Sequence, residues 1–209
     1  MPFEVPLVEA RVNAGGRDWN LLRVKDQDAL IAQVQTEEDL ALFPFGLMLW
    51  ASAVALADAI PSTPGRLLEL GAGVGLAGLA ARHKGWEVVQ TDYDTRALEL
   101  CETNARRNGI TGIDVRVGDW REWPDLLLNG FDLVIGADVL YERTLHPVLR
   151  SLLPKFHCPI LISDPLRPQA TDFFQSIEAD GWKAAMGMRQ VTWDEDPRQI
   201  ALFQLTAQE

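Results

Sequence analysis

The sequence predicts an α/β fold: a doubly wound, mostly parallel seven-stranded sheet that ends in an antiparallel hairpin and is preceded by an N-terminal β-hairpin extension. Three observations carry this expectation. Strand-like and helix-like segments alternate from Arg66 to Asp180, which calls for βαβ crossovers. A glycine-rich turn, Gly71-Ala72-Gly73-Val74-Gly75, joins the first of those strands to the first of those helices. The last two β-prone runs, Trp182–Val191 and Gln199–Thr206, have only Thr192–Arg198 between them, too short for a parallel crossover, so they pair antiparallel.

In chain order, Val5–Asn13 and Trp19–Val24 are β-prone, with Ala14-Gly15-Gly16-Arg17 as the turn between them. This hairpin occupies residues 1–35, and residues 36–209 form the main domain. Thr36-Glu37-Glu38-Asp39 starts or caps a short helical stretch before Pro44. Leu40–Ala57 carries no charge, which approaches the length of a membrane span, but Pro44 and Gly46 interrupt it. Leu47–Ala57 is left as a buried helix too short to cross a bilayer, so no membrane partner is expected. Beyond it come strands at Arg66–Leu70, Trp86–Thr91, Asp114–Val117, Phe131–Ala137 and Pro159–Ser163. Helices are expected at Leu76–His83, Thr95–Asn108, Leu145–Leu153 and Gln169–Asp180, with Gly85, Gly109 and Gly181 as stops for three of them.

Charge narrows the function. Nineteen basic against thirty acidic residues leave a net charge of −11, with no Lys/Arg-rich run, which argues against a nucleic-acid partner. An acidic surface suits a cationic partner, or simply solubility. Cys101 and Cys158 lie far apart without CxxC spacing, so neither a disulfide framework nor a metal site is expected, and a reducing cytoplasm is the natural setting. Met1–Pro6 lacks a charged segment followed by an apolar run, so no signal peptide is expected, and a monomer is.

The glycine turn follows a strand and opens a helix, where glycines permit a tight turn and close ligand approach. Gly73, Gly75 and Gly78 also satisfy a dinucleotide fingerprint, and Asp92 at the end of the next strand is placed to accept both ribose hydroxyls. Two ligands therefore compete, a nicotinamide dinucleotide and S-adenosyl-L-methionine. Glu69 favours the second. A pyrophosphate would be repelled by a carboxylate two residues before the first glycine, whereas an ammonium and a sulfonium would be attracted. No second domain is available to hold a hydride acceptor. The bland alternative for Glu69 is a salt bridge at a strand end. Gly118-Asp119-Trp120 follows the third strand at the carboxyl edge of the sheet. There Asp119 could take the adenine amino group and Trp120 could flank the ring, or form a core turn.

Pro44-Phe45-Gly46-Leu47-Met48-Leu49-Trp50-Ala51-Ser52-Ala53, Leu68–Gly78 and Gly136-Ala137-Asp138-Val139-Leu140-Tyr141-Glu142 together resemble the seven-β-strand, Rossmann-like methyltransferases. The likeness is greatest to the METTL21-like protein-lysine methyltransferases and bacterial relatives, over roughly residues 36 to 206. The resemblance implies S-adenosyl-L-methionine as methyl donor and S-adenosyl-L-homocysteine as product. It implies that Trp50 packs beside the donor, that Asp92 and Tyr93 border its ribose and adenine, and that Asp119 and Trp120 match the adenine side. Glu69, Gly71, Gly73, Gly75 and Ala137 complete the donor-binding set. Asp138 and Tyr141 match an acid-x-x-aromatic motif that faces the substrate amine in that branch. Ser163-Asp164-Pro165-Leu166-Arg167-Pro168 departs from eukaryotic members and looks like a bacterial variant. Enzymes acting on nucleobase or glutamine nitrogens carry prolines inside the Asp138–Tyr141 motif; here Val139-Leu140 stand there.

Methyl transfer from a sulfonium is an in-line displacement, in which the protein mainly supplies alignment. Asp138 is assigned to orientation and electrostatics and Tyr141 to lining the acceptor channel; a cap and a core packing role are the bland alternatives. Arg167 could face the same cleft. His83 and His146 read as structural. The expected acceptor is a protein lysine, with a small amine or pyridine metabolite as the alternative.

Overall fold

A computed structural model describes residues 3, 5–36, 38–39, 42–193 and 196–207. Strands β1 (Leu7–Ala14) and β2 (Arg17–Val24) form the N-terminal hairpin through the Gly15-Gly16 turn. Helix α1 (Gln27–Ile31), which the sequence reading missed, is capped by the Asp26 carboxylate accepting from the Ala29 N–H at 2.9 Å. At Thr36, the hydroxyl accepts from Asp39 N and the Asp39 carboxylate accepts from Thr36 N, both at 3.0 Å. The rest of that expected helical stretch includes residues 37, 40 and 41, which lie outside the described residues.

The main sheet takes the order β5-β4-β3-β6-β7-β9-β8, with β3 (Arg66–Leu70), β4 (Glu87–Asp92), β5 (Ile113–Val117), β6 (Leu133–Ala137) and β7 (Ile160–Asp164) parallel. Strands β8 (Trp182–Trp193) and β9 (Asp196–Ala207) pair antiparallel, and β9 inserts antiparallel beside β7. The expected seven-stranded, doubly wound architecture is therefore present. Its crossing point lies between β3 and β6, where the order of strands reverses.

Alternate residues of each buried strand serve opposite faces. Leu67 packs with α2 (Ala51–Ala59) and α3 (Leu76–His83), whereas Leu68 and Leu70 pack with α5 (His146–Leu152) and α6 (Pro168–Ala179). Helix α4 (Thr95–Arg107) lies on the α3 side, and β1–β2 docks against it. The docking is specific. Asn104 on α4 accepts from Leu22 N–H at 2.7 Å and donates to Leu22 C=O at 3.2 Å; Asn108, one turn later, accepts from Asn20 N–H at 2.8 Å and donates to Asn20 C=O at 3.0 Å. Two amides at helical spacing thus satisfy the free edge of β2.

Two expected boundaries are corrected. The Leu47–Ala57 helix begins only at Ala51: Phe45–Leu47 is a single 3-10 turn, and Met48 and Trp50 are extended. Leu47, Met48 and Leu49 are all buried, and three consecutive buried side chains do not fit one helical face exposed on its other side. The terminal hairpin is longer than expected, because Pro197 lies inside β9, opposite Thr192. β7 pairs only with Ala201–Leu205, so the missing Pro197 N–H falls where β9 has a partner on one side alone. No helix among the described residues is long and apolar enough to cross a membrane.

Candidate active site

The carboxyl ends of β3, β4, β5 and β6 open into one cavity of about 260 Å³. Eleven of the twelve residues proposed from the sequence line it: Trp50, Glu69, Gly71, Gly73, Asp92, Tyr93, Asp119, Trp120, Ala137, Asp138 and Tyr141. Gly75 does not. It caps the N-terminus of α3 at φ +88°, where its backbone lies against Cys101 and Gln90 and not against the cavity.

Glu69, at the end of β3, is 2% exposed. Its Oε2 accepts from Gly78 N–H at 3.0 Å and from the Gln90 amide at 2.7 Å, while Oε1 has no hydrogen bond among the described residues. Helix α3 approaches this closely only because residue 78 is glycine: a Cβ there would meet Glu69 Oε2 at 2.5 Å and Gln90 Nε2 at 2.4 Å. Burial pushes the Glu69 carboxyl up to about 7, against the two hydrogen bonds that lower it. The surface salt bridge considered for this residue is thus absent among the described residues.

Asp92 ends β4 and straps the glycine turn. Its Oδ2 accepts from Gly73 N–H and its Oδ1 from Asp94 N–H, both at 3.0 Å. Burial pushes its carboxyl up to about 6. Gly73 sits at φ +56°, with a hypothetical Cβ 3.2 Å from the Gly46 carbonyl, so the turn passes tightly beneath the Phe45–Leu47 segment. Asp119 caps the turn Trp120–Glu122 by accepting from Arg121 N–H at 3.0 Å and also pairs with the Arg121 side chain. Trp120 stands over Gly71, whose Cβ position is 3.3 Å from the indole. Trp50, the residue before α2, turns its indole N–H toward the Phe45 carbonyl at 3.4 Å.

The other end of the cavity is built differently. Asp138 follows β6 in a left-handed conformation, φ +60°, anchored by its N–H donating to Ser163 C=O at 2.8 Å. Its Oδ1 pairs with the Arg167 guanidinium, which also reaches Asp164 Oδ2 at 3.0 Å. Burial raises the Asp138 carboxyl above its usual range, opposed chiefly by Arg167. The ring of Tyr141 packs against that of Phe45 at 5.0 Å between centroids, and burial pushes its phenol up. Sequence reasoning missed Phe45, Gly46 and Met48, which the threaded segment before α2 brings to the cavity. It also missed Ser52, whose hydroxyl is buried beside the Asp138 carboxyl without a well-aligned hydrogen bond. No spacing in the sequence signals them, although all four belong to the Pro44–Ala53 stretch already singled out. His146 is structural, as expected: its ring bonds the Leu140 carbonyl and packs on Phe173.

These residues suit S-adenosylmethionine. A free carboxylate oxygen at Glu69, a glycine turn without side chains, an acid at the end of β4 and an aromatic wall at Trp120 offer partners for a cationic, ribose- and adenine-bearing ligand.

A family description, lysine methyltransferase, matches residues 25–180. Among relatives, the chain is 34% identical to histone-arginine methyltransferase METTL23 of Xenopus laevis over 137 residues, 61% of this chain and 58% of that one. It is 29% identical to EEF1A lysine methyltransferase 3 of Mus musculus over 71% of this chain and 67% of that one. It is also 29% identical to protein-lysine N-methyltransferase rrg1 of Schizosaccharomyces pombe, over 75% of this chain and 60% of that one. The chain thus spans about three fifths to two thirds of these relatives' lengths. They are eukaryotic, and the bacterial character inferred from Ser163–Pro168 gains no support from them. In fold, the chain is similar to the ribosomal protein L11 methylase of Lactobacillus delbrueckii subsp. bulgaricus (TM-score 0.55, 19% identity, 75% of this chain and 77% of that one). It is likewise similar to a precorrin-6y C5,15-methyltransferase of Geobacter metallireducens (TM-score 0.59, 9% identity, 74% and 87%). With more than half of its length matched, the chain belongs to the lysine methyltransferase family.

Proposed function

We propose that this protein transfers the methyl group of S-adenosylmethionine to the side-chain nitrogen of a protein lysine. The observation that carries this reading is the placement of three buried carboxylates, Glu69, Asp92 and Asp138, at the ends of three strands around one cavity. Glu69 would receive the donor's ammonium on its free oxygen, and Asp92 the ribose hydroxyls. Asp119 would receive the adenine amino group beside Trp120 and Tyr93, with Gly71, Gly73, Trp50 and Ala137 completing the walls. When bound, the donor supplies an activated methyl group on sulfur. Asp138 holds and aims the incoming nitrogen, and Phe45 and Tyr141 form the channel that excludes water from its path. The nitrogen must arrive without its proton, which passes to water, because an ordinary carboxylate is too weak a base for an amine.

A protein arginine is the second reading, favoured by the histone-arginine methyltransferase among the relatives. Incubation with tritiated S-adenosylmethionine and a cell lysate, followed by hydrolysis and amino-acid analysis, separates these. Labelled methyl-lysine that disappears with Asp138→Ala supports the leading reading. Labelled methyl-arginine selects the second, and label confined to small molecules overturns both.

A further inference from the structure

Arg167 does something the donor-binding machinery does not require. It reaches across from the end of β7 and places one guanidinium nitrogen on two carboxylates, Asp138 and Asp164, whose side chains are 8% and 0% exposed. Asp164 is itself locked, because its Oδ1 accepts from the Arg167 backbone N–H at 2.7 Å. The loop that delivers Arg167 passes through Leu166 at φ +64°, and Asp138 sits at φ +60°. Left-handed non-glycine residues of this kind persist where surrounding contacts over-determine them, commonly at functional sites. Arg167 also lines the cavity beside Asp138 and Tyr141.

The pairing is one-sided. Arg167 engages Oδ1 of Asp138 and makes no bond to Oδ2. The Ser52 hydroxyl on α2, which acts on the same carboxyl, is buried without an aligned partner. The carboxylate is thus oriented by its internal cation and still has an oxygen to offer.

We propose that Arg167 is a positioning and specificity-determining residue of the acceptor pocket, which aims Asp138 at the acceptor nitrogen and, by its own positive charge, favours the neutral nitrogen over its protonated form. This rests on the acceptor reading given above. The local sum of two carboxylates and one guanidinium is a single negative charge, enough to attract a cationic side chain toward the cavity. Within contact of Asp138, however, an arriving ammonium meets the guanidinium at like charge, and shedding the proton removes the repulsion. Of the other charged groups in this cavity, Glu69 and Asp92 lie at the ends of β3 and β4, Asp119 and Arg121 follow β5, and Glu142 follows Tyr141. None of them is bonded to Asp138.

The test compares wild type, Arg167→Met and Arg167→Lys. Carboxyl-carbon NMR of the S-adenosylhomocysteine-bound protein follows Asp138, and radiolabel transfer to the lysate acceptor is measured against pH. In Arg167→Met, Asp138 should titrate at higher pH. The acid limb of the rate profile should move about one unit toward alkaline, a roughly tenfold loss near neutrality that recovers as pH rises. Arg167→Lys, which keeps the charge without the fork, should fall between, and it carries the test if the Met variant does not fold. S-adenosylhomocysteine affinity should stay within about twofold of wild type. A rate lowered equally at every pH, together with a lowered melting temperature, would mean that Arg167 only clasps β6 to β7 and overturns the proposal. So would an unmoved Asp138 titration, or donor affinity that falls as far as transfer. A labelled acceptor other than lysine would sink the acceptor reading but leave the Asp138 titration to judge Arg167.

Discussion

The proposed donor and acceptor ends of the cavity both bury carboxylates, yet they stabilise them by opposite means. Glu69 and Asp92 accept hydrogen bonds from neutral amides, Gly78, Gln90, Gly73 and Asp94, and among the described residues no cation pairs with them. Burial therefore wins, and their carboxyls rise to about 7 and about 6. Asp138 is answered by Arg167. The donor end withholds a counter-charge that a cationic ligand would supply; the acceptor end carries its own and offers an arriving group only part of the carboxylate. A site that binds one partner tightly and lets another exchange has reason to be built with this asymmetry.

The largest effect is expected at the acceptor end. Asp138→Ala removes the aiming carboxylate and leaves the Arg167 guanidinium facing Asp164 alone. A preorganised charged group aimed at the reacting atom is worth about a hundred- to a thousandfold in rate, so methyl transfer should drop by about that much. Calorimetric affinity for S-adenosylhomocysteine should barely change. An equal loss of affinity would mean that the two ends are not separable.

Glu69→Gln tests the donor end. Losing a charge-assisted bond to the ligand ammonium costs roughly 1.5–3 kcal/mol, a drop in S-adenosylhomocysteine affinity of about ten- to a hundredfold. Wild-type affinity should rise with pH through about 7, as Glu69 ionises, and then level; the variant's should be flat across that range. Stability carries the opposite sign. The folded carboxyl holds its proton from about 4.5, its ordinary value, up to about 7, so the ligand-free protein loses stability as pH rises through that window. Asp92 adds a loss in the same direction as pH rises from 3.8 to about 6. Melting curves of Glu69→Gln should be less steep in pH than wild type.

The two ends also differ in how far the sequence revealed them. The donor end is compact in sequence: Glu69 through Gly75, then Asp92 and Asp119 at the next two strand ends, each one crossover further on. Strand periodicity and turn chemistry locate such residues. The acceptor end depends on Asp138 meeting Arg167 across 29 residues, on Ser52 meeting it from α2, and on a segment before α2 that threads in extended form. Pairings of that span follow from the order of strands in the sheet, which local pattern does not determine. Leu47–Leu49 misled for a related reason: an apolar run reads as a helix until its neighbours are known to surround it. The Asn104 and Asn108 ladder on β2 was equally invisible, since amides on a helix face read as ordinary surface.

A smaller change is expected at Asp92. Asp92→Ala removes the acid assigned to the ribose and unstraps Gly73 N–H, and should weaken S-adenosylhomocysteine about tenfold while leaving the Arg167 pairing as it is. Unchanged affinity would remove the ribose assignment, because the next carboxylate after β4, Asp94, is already paired with Arg96.

The smallest effect is expected where the ends meet, at Ser52. Its hydroxyl is buried against the Asp138 carboxyl without a well-aligned hydrogen bond, so the weak contact does not repay its desolvation, a cost that alanine would not bear. Ser52→Ala should therefore raise the melting temperature, by about 2 °C if the relief is near 1 kcal/mol. If the hydroxyl helps to hold Asp138 for the acceptor, the same variant should lose several-fold in transfer and nothing in donor affinity. Stability and activity moving in opposite directions at a residue that never touches the donor would mark α2 as part of the acceptor end. A variant improved in stability and unchanged in transfer would restrict that end to Asp138, Tyr141 and Arg167.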